Sequence, residues 1–258
     1  MQPHTIPSAS HIKTNDVIYD LITSHICPDS SVLDFGSGHG HMCQRLGNFF
    51  KSHGRCPAQH LKACEISPEV FEYAEIECLR IGTNSEIPVD TSTQDLIYAI
   101  EVLEHVPRPY DFFLEAAKKL KPGGHLVFSV PNLLNLKARL QFLFTGYSDM
   151  FGPPSALDKN AGRICGHIMP LSLPYFSYGL QRSGFRDVHF HADRWKRSSL
   201  MLSIMLFPLL KLATSFADRR IKRYDRDVWL ETRWLISRVN HMDILASRSC
   251  IIEAQKCR

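Results

Sequence analysis

Hydrophobic and polar positions along the first half of the chain follow two periods, one typical of helices and one typical of buried strands. Over residues 15–25 apolar side chains recur at helical spacing, so that Val17 and Leu21 share one face. Short apolar runs of strand length separate further segments of this kind. We predict strands at residues 31–35, 61–66, 96–100, 125–130, 185–191 and 244–254, and helices at 15–25, 41–50, 68–81, 110–120, 133–144 and 173–183.

This alternation of strands and helices is typical of βαβ units, whose right-handed crossovers produce a parallel sheet with helices on both faces. The pattern therefore predicts an α/β fold with a doubly wound, mostly parallel, Rossmann-like sheet. Residues 194–240 interrupt the alternation with a largely helical stretch. We expect them to form a helical insertion before the last strand.

A glycine-rich turn, Asp34-Phe35-Gly36-Ser37-Gly38-His39-Gly40, follows the first predicted strand. Glycines let a ligand approach the backbone closely, and the next helix points its first N–H groups at that ligand. The dinucleotide fingerprint GxGxxG needs a glycine where this chain has His41, and the GxxxxGK[ST] phosphate loop is absent. The turn therefore predicts a cofactor loop, but not that of a nicotinamide enzyme.

The sequence VLDFGSGHG at residues 32–40 resembles the first motif of class I S-adenosylmethionine-dependent methyltransferases, an acidic residue followed by GxGxG. The resemblance implies that S-adenosylmethionine is the cofactor. It also implies that Asp34 serves the methionine end of this cofactor, directly or through the loop. Gly36 and Gly38 would admit the cofactor, with Ser37 between them in the same predicted binding set.

Glu65 ends the second predicted strand, where a carboxylate can accept hydrogen bonds from both ribose hydroxyls. It resembles the ribose-binding acid of the family, and Ile66 would then flank the adenine. A solvated glutamate at a strand end is the alternative interpretation. Relatives often have Gly-Asp where this chain has Gly82-Thr83-Asn84, so Thr83 or Asn84 would replace the acid that contacts adenine.

Two later stretches resemble the fourth and fifth strands of the same family. They read LIYAIEVLEHVP at residues 96–107 and LKPGGHLVFSVPN at residues 120–132. Ile100 and Glu101, where the predicted strand of the first stretch ends, complete the predicted cofactor contacts. The order of these motifs predicts one methyltransferase domain over residues 1–258, with a cofactor-binding core at 15–135 and substrate-side segments at 136–183 and 194–240.

Methyl transfer to oxygen or nitrogen needs the acceptor held against the methyl group and usually one proton removed. The EVLEHV stretch resembles that of ubiquinone-biosynthesis O-methyltransferases and contains the catalytic candidates Glu104 and His105. Three interpretations stay open: a general base, a divalent-metal site that includes Glu101, and a structural turn. His167, which follows a loop rich in glycine and proline, is the other candidate base.

The amino-acid composition indicates the cellular compartment of the protein and the kinds of partner it binds. Of 258 residues, 44% are hydrophobic and 22% charged, which is typical of a globular protein. The net charge of +4 comes without a long basic run or aromatic-interleaved stripe, so we expect no nucleic-acid partner. The 8 cysteines contain no CxxC pair and the N-terminus is polar, which favours a cytoplasmic location.

One apolar stretch, Leu200–Leu210, is broken by Pro208 and is followed by a basic run at residues 219–223. We expect it to be too short to cross a bilayer, which takes about 20 apolar residues. Residues 199–223 would form a peripheral membrane contact, a roof over a lipophilic acceptor, or a lid helix packed on the core.

The sequence therefore predicts a methyltransferase that moves a methyl group from S-adenosylmethionine to a hydroxyl or amine of a small, lipophilic molecule. One alternative is a regulatory or assembly protein that keeps the fold without the activity. The other is a nicotinamide-dependent oxidoreductase, which the glycine spacing disfavours.

Overall fold

The computed structural model describes residues 5–82, 85–157 and 166–258. The strands in these ranges are β1 (Val32–Phe35), β2 (Leu61–Glu65), β3 (Cys78–Arg80), β4 (Gln94–Ile100), β5 (Leu120–Pro131), β6 (Phe185–Ala192) and β7 (Ser249–Lys256). The helices are α1 (Ile12–His25), α2 (His41–Ser52), α3 (Pro57–His60), α4 (Pro109–Lys119), α5 (Leu136–Thr145), α6 (Leu173–Arg182), α7 (Arg197–Tyr224), α8 (Arg226–Arg238) and α9 (Met242–Ala246).

The described strands form one seven-stranded sheet in the order β3-β2-β1-β4-β5-β7-β6. The pairs from β3 to β5 are parallel, with Phe35 opposite Cys64 and Ile100 opposite Ser129. This register brings the carboxyl ends of β1, β2, β4 and β5 to one edge, where ligands bind in open α/β sheets. The predicted Rossmann-like fold is confirmed, and α7 and α8 form the helical insertion before the last strand.

The chain divides into two compact units. The first comprises Met1–Val130, Ser177–Phe190 and Ile251–Arg258, and it contains most of the sheet. The second comprises Pro131–Phe176 and His191–Cys250, and it contains α5, α7, α8 and α9. The prediction of a single domain stays a prediction.

The core of the first unit forms where α1 and α2 pack on the sheet. Ile18 and Ile22, four residues apart on α1, are fully buried, as are Leu46 and Phe50 on α2. This spacing places each pair on one face of its helix. Burying a side chain of this size contributes about 1.5–3 kcal/mol, so the two apolar faces fix both helices on the sheet.

The prediction of a helix over residues 68–81 is wrong. Residues Pro68–Val70 form a single 3-10 turn, and Cys78–Arg80 is strand β3. Between them Tyr73 and Ile76 are buried in the core of the first unit, and Phe71 packs against it. Phe71, Tyr73 and Ile76 are two and three residues apart, which does not place them on one helical face. The segment is irregular because an extended chain brings all three side chains to the core.

The start of the last predicted strand is also wrong. The strand begins at Ser249, and the apolar residues before it form the short helix α9. The Asn132 side-chain amide donates to the carbonyl oxygens of Ile244 (2.7 Å) and Ser247 (3.1 Å), which anchors this helix. A fully buried apolar run has no polar positions to reveal its period, so the sequence pattern does not distinguish a short helix from a strand here.

The apolar stretch at Leu200–Leu210 belongs to a longer helix than the sequence indicated. Helix α7 continues through Pro208 and Lys211 and is 28 residues long. Among the described residues, it is long and apolar enough to cross a membrane by length and composition alone, with a mean hydropathy of 1.8 over 18 residues. Pro208, which the sequence pattern indicates as a break, lies inside the helix.

We expect Gly124→Ala to lower the free energy of unfolding by about 1–3 kcal/mol, because the backbone must move to admit a methyl group. A Cβ at Gly124 would lie 2.9 Å from the carbonyl oxygen of Asp95 and 3.0 Å from that of Lys121. Urea denaturation measures the change. Gly152→Ala is the matched control, since a Cβ there meets no atom within 4 Å. Equal stability of the two variants would contradict the close packing of Gly124.

Candidate active site

Backbone hydrogen bonds hold the glycine-rich turn on the end of β2. The N–H groups of Gly36 and Ser37 both donate to the Cys64 carbonyl oxygen, at 2.9 and 3.2 Å. Gly36, Gly38 and Gly40 have φ angles of 75°, 51° and 92°, in the left-handed region that favours glycine. The backbone conformation of the turn therefore accounts for its three glycines.

The surroundings of the glycines show where the turn is open. A Cβ at Gly36 would come within 2.5 Å of the Val102 side chain, and one at Gly40 within 2.6 Å of the Phe71 ring. At Gly38, a Cβ would meet no atom within 4 Å. Protein side chains therefore pack against the turn at Gly36 and Gly40, whereas open space adjoins its centre at Gly38.

Glu65 lies beside this open part of the turn. Its Oε2 accepts the N–H of Gly38 (2.8 Å), and its Oε1 accepts the N–H of Ile66 (2.7 Å). A carboxylate has about four acceptor positions, so both oxygens can still accept hydrogen bonds from a ligand. The Ile66 side chain next to it is mostly exposed. The turn, the carboxylate and an apolar side chain thus form one surface.

Asp34 lies beneath the turn and not on this surface. Its side chain is 2% exposed, and Oδ2 accepts the Cys43 thiol at 3.2 Å. Burial raises the pKa of Asp34 to about 7, and hydrogen bonds from Cys43 and Tyr98 offset part of that rise. Of the two predicted modes of action, this geometry favours the one through the loop.

Glu101 begins the connection after β4 with a strained backbone. Its φ of 53° is uncommon for a residue with a side chain. The conformation is held because the Glu101 N–H donates to the carbonyl oxygen (3.0 Å) and hydroxyl (3.1 Å) of Ser129 on β5. Strain of this kind concentrates at ligand sites. Ile100 precedes it as the last residue of the strand.

Glu104 and His105 follow in a turn closed by the His105 N–H, which donates to the Val102 carbonyl oxygen at 2.9 Å. Glu104 is 1% exposed, and its Oε2 has no hydrogen-bond partner among the described residues. Burial raises the pKa of Glu104 to about 8, a backbone hydrogen bond opposes the rise, and the nearby charge of Glu101 adds to it. Glu104 is therefore mostly protonated at neutral pH.

His167 belongs to the second unit. Its Nδ1 donates to the Met150 carbonyl oxygen at 2.7 Å, and its ring packs against Phe151 with centroids 5.4 Å apart. Because a carbonyl oxygen only accepts, the neutral ring carries its proton on Nδ1. Nε2 is then the basic nitrogen of His167.

The first unit brings most of the predicted site residues to the carboxyl ends of β1, β2 and β4. These are Asp34, Gly36, Ser37, Gly38, Glu65, Ile66, Ile100, Glu101, Glu104 and His105. Thr83 and Asn84 lie outside the described residues. Sequence reasoning missed Val102 and Phe71, which pack against the glycines, because an apolar side chain carries no chemical signal of such a contact.

Glu104→Gln should remove part of the pH dependence of stability. The pKa of about 8 in the folded protein lies above the ordinary 4.5, so the folded state keeps a proton that the unfolded chain has lost between these values. The free energy of unfolding therefore falls as pH rises from about 5 to 8, by up to roughly 1.4 kcal/mol per unit for this group. Glu104→Gln should abolish this contribution.

Urea denaturation at pH 5 and pH 8 checks this expectation. Asp34, whose pKa is also raised, contributes in the same direction in both proteins, so it cancels in the difference. The exposed Glu231→Gln is the matched control and should keep the original pH slope. A Glu104→Gln variant with an unchanged slope would show that the Glu104 carboxyl is not desolvated.

Comparison with known proteins places this geometry in a family. The model of the methyltransferase domain family matches residues 18–189. Malonyl-[acyl-carrier protein] O-methyltransferase of Hahella chejuensis is 31% identical over 109 residues, which cover 40% of this chain and 37% of that protein. Ubiquinone biosynthesis O-methyltransferase of Vibrio cholerae serotype O1 is 32% identical over 118 residues, covering 42% and 44%. The chain thus spans less than half the length of these curated relatives.

Solved structures support the fold. An S-adenosylmethionine-dependent methyltransferase from Archaeoglobus fulgidus superposes with a TM-score of 0.55 at 14% identity, over 94% of both chains. Phosphoethanolamine N-methyltransferase 2 of Haemonchus contortus, in complex with S-adenosyl-L-methionine, gives 0.54 at 12% identity over 99% of this chain and 55% of that one. The family match covers more than half of this chain, including the glycine-rich turn, Glu65 and His105. The chain therefore belongs to the methyltransferase domain family, as the resemblance of its motifs to class I S-adenosylmethionine-dependent methyltransferases predicted.

Proposed function

We propose that this protein transfers a methyl group from S-adenosylmethionine to an oxygen atom of a small, lipophilic molecule. A hydroxyl group is the preferred acceptor. The observation that carries the proposal is the Glu65 carboxylate held on the Gly38 N–H, beside the open centre of the turn. A carboxylate in that place suits the two hydroxyls of a ribose. An amine acceptor is the second candidate from the sequence.

The residues of the turn fit an adenosyl cofactor. The space that a Cβ at Gly38 would occupy is open to a ligand, while Val102 and Phe71 close the corresponding positions at Gly36 and Gly40. Ile66 supplies an exposed apolar side chain next to Glu65, as a stacked base requires. Asp34 supports the turn from below, where its pKa of about 7 lets it act as a hydrogen-bond donor or acceptor.

S-adenosylmethionine, when bound, supplies an electrophilic methyl group, so the acceptor hydroxyl must lose its proton as the new oxygen–carbon bond forms. At neutral pH the mostly protonated Glu104 is poorly suited to take that proton. We therefore assign the base to an imidazole. The candidates are His105, which follows Glu104 in the first unit, and His167, which belongs to the second.

Oxygen as the accepting atom is supported by the names of the curated relatives, both of which are O-methyltransferases. Apolar side chains exposed on the second unit, Phe144 and Leu209 among them, favour a lipophilic acceptor. A cytoplasmic location and the absence of a nucleic-acid partner stay predictions.

Gly38→Ala should weaken binding of S-adenosylmethionine by at least tenfold, because the added methyl group enters the open centre of the turn. Isothermal titration calorimetry with the methyl donor measures the loss. The alanine also strains a left-handed backbone, at a cost of roughly 1–2 kcal/mol in stability.

Gly54→Ala separates the two effects. Gly54 has a φ of 71°, and a Cβ there also meets no atom within 4 Å, but it lies in the connection after α2. The control should lose similar stability and keep full affinity for the cofactor. Equal affinity in both variants would refute the assignment of the turn.

Substitution of the catalytic imidazole by alanine should lower kcat by roughly 10² to 10⁴-fold, the usual contribution of a general base. The two variants to compare are His105→Ala and His167→Ala, assayed with labelled methyl donor against a panel of lipophilic hydroxyl compounds. Affinity for S-adenosylmethionine should be unchanged in the variant that lacks the base. His189→Ala, an exposed histidine on β6, serves as the control. Full activity in both test variants would rule out a histidine base.

A further inference from the structure

Helix α7 has its polarity reversed relative to an ordinary surface helix. Its buried residues are Ser199 and Ser203, both 0% exposed. Met205, Leu212 and Phe216 are 66%, 55% and 62% exposed, and their spacing places them on one face. A helix of a globular protein normally turns its apolar face to the core. The part of the chain that the structure describes therefore leaves the outward apolar face of α7 uncovered.

The α7–α8 hairpin begins and ends on the second unit. At its start the Lys196 N–H donates to the Ala246 carbonyl oxygen at 2.7 Å, and the Lys196 ammonium pairs with Asp149. At its end the Arg139 guanidinium on α5 donates to the Asn240 side-chain oxygen at 2.5 Å. The returning helix α8 has only 13 residues, too few to cross a bilayer. With both ends on the second unit and so short a returning helix, the hairpin does not fit a pair of membrane-spanning helices.

Cationic side chains gather where α7 meets α8. They are Arg219, Arg220, Lys222, Arg223 and Arg226. Against these five cations the same segment holds three carboxylates. Asp218 accepts the Trp229 indole N–H at 2.7 Å, Asp225 accepts the N–H groups of Asp227 and Val228, and the third is Asp227 itself. The turn therefore carries a net positive charge next to the apolar face.

We propose that the α7–α8 hairpin binds the surface of an anionic lipid bilayer. Met205 to Phe216 span roughly 17 Å of helix axis, and Arg219 and Arg223 continue the same face. A helix lying in the interface buries such a face among the acyl chains and keeps its cations at the headgroups. Charge selects this occupant, because a second copy of a chain with a net charge of +4 would bring a like-charged turn.

The hairpin also offers apolar surface between its two helices. A cleft of about 720 Å³ opens there, with Phe216, Ile221, Tyr224 and Val228 in its wall. Arg220 lies in the same wall. Acyl chains can fill such a cleft while the guanidinium contacts a headgroup phosphate. The inference does not depend on methyl transfer, because membrane binding is measured without cofactor.

The test is flotation of the full chain with vesicles of phosphatidylcholine alone and of phosphatidylcholine with phosphatidylglycerol. We expect binding to the anionic vesicles, weakened by added salt. Leu212→Glu with Phe216→Glu should reduce partitioning by at least tenfold. Arg219→Gln with Arg223→Gln should reduce it by roughly 30-fold, since each basic residue near an anionic surface contributes about 1 kcal/mol.

The matched control is Leu114→Glu, the same change at an exposed leucine of α4 in the first unit, which should bind like the parent chain. Thermal unfolding of every variant checks that it is folded. Absence of binding to anionic vesicles, equal binding to both vesicle types, or equal loss in the control would overturn the proposal. A dimer in lipid-free buffer that the Leu212→Glu and Phe216→Glu changes dissociate would also overturn it and assign the face to a second copy.

Discussion

The hydrogen bond from the Gly38 N–H to the Glu65 carboxylate depends on the register of β1 and β2, and the rest of the site depends on it. Parallel pairing puts Phe35 opposite Cys64, so the chain leaves β1 where β2 ends. The Cys64 carbonyl then accepts two N–H groups of the turn, and the Glu65 carboxylate accepts a third. A shift of this register by one residue would turn Glu65 to the other face of the sheet and leave the turn without its anchor.

Two carboxyl groups of the site are buried at a cost. Asp34 and Glu104 are both desolvated, which raises the pKa of each to the neutral range or above. A protein gains no stability from burying an acid in this way, because the unfolded chain ionises it freely. Raised pKa values with such causes concentrate at functional sites. Asp34 precedes the glycine turn on β1 and Glu104 follows β4, at the strand ends where an active site of this fold is expected.

Much of the fold and of the predicted cofactor surface was accessible from the sequence, because both rest on local patterns. A glycine-rich turn directly after a buried strand is typical of a cofactor loop. An acidic residue at the end of the next strand lies beside that turn, because the two strands pair in parallel. The parts that failed are decided by contacts distant in sequence. Tyr73 and Ile76 cover a core formed by other elements, and α9 is fixed by Asn132, more than a hundred residues earlier.

Helix α7 shows a different limit. Its helical and apolar character was predicted from the sequence, but neither property states which side of the helix meets the protein. Ser199 and Ser203 settle this by being buried, and their small side chains let α7 approach its neighbours in the second unit closely. His167 belongs to that same unit. The surface proposed to meet lipid and a residue proposed to meet the acceptor are therefore carried by one folded unit, an arrangement suited to an acceptor that arrives from a membrane.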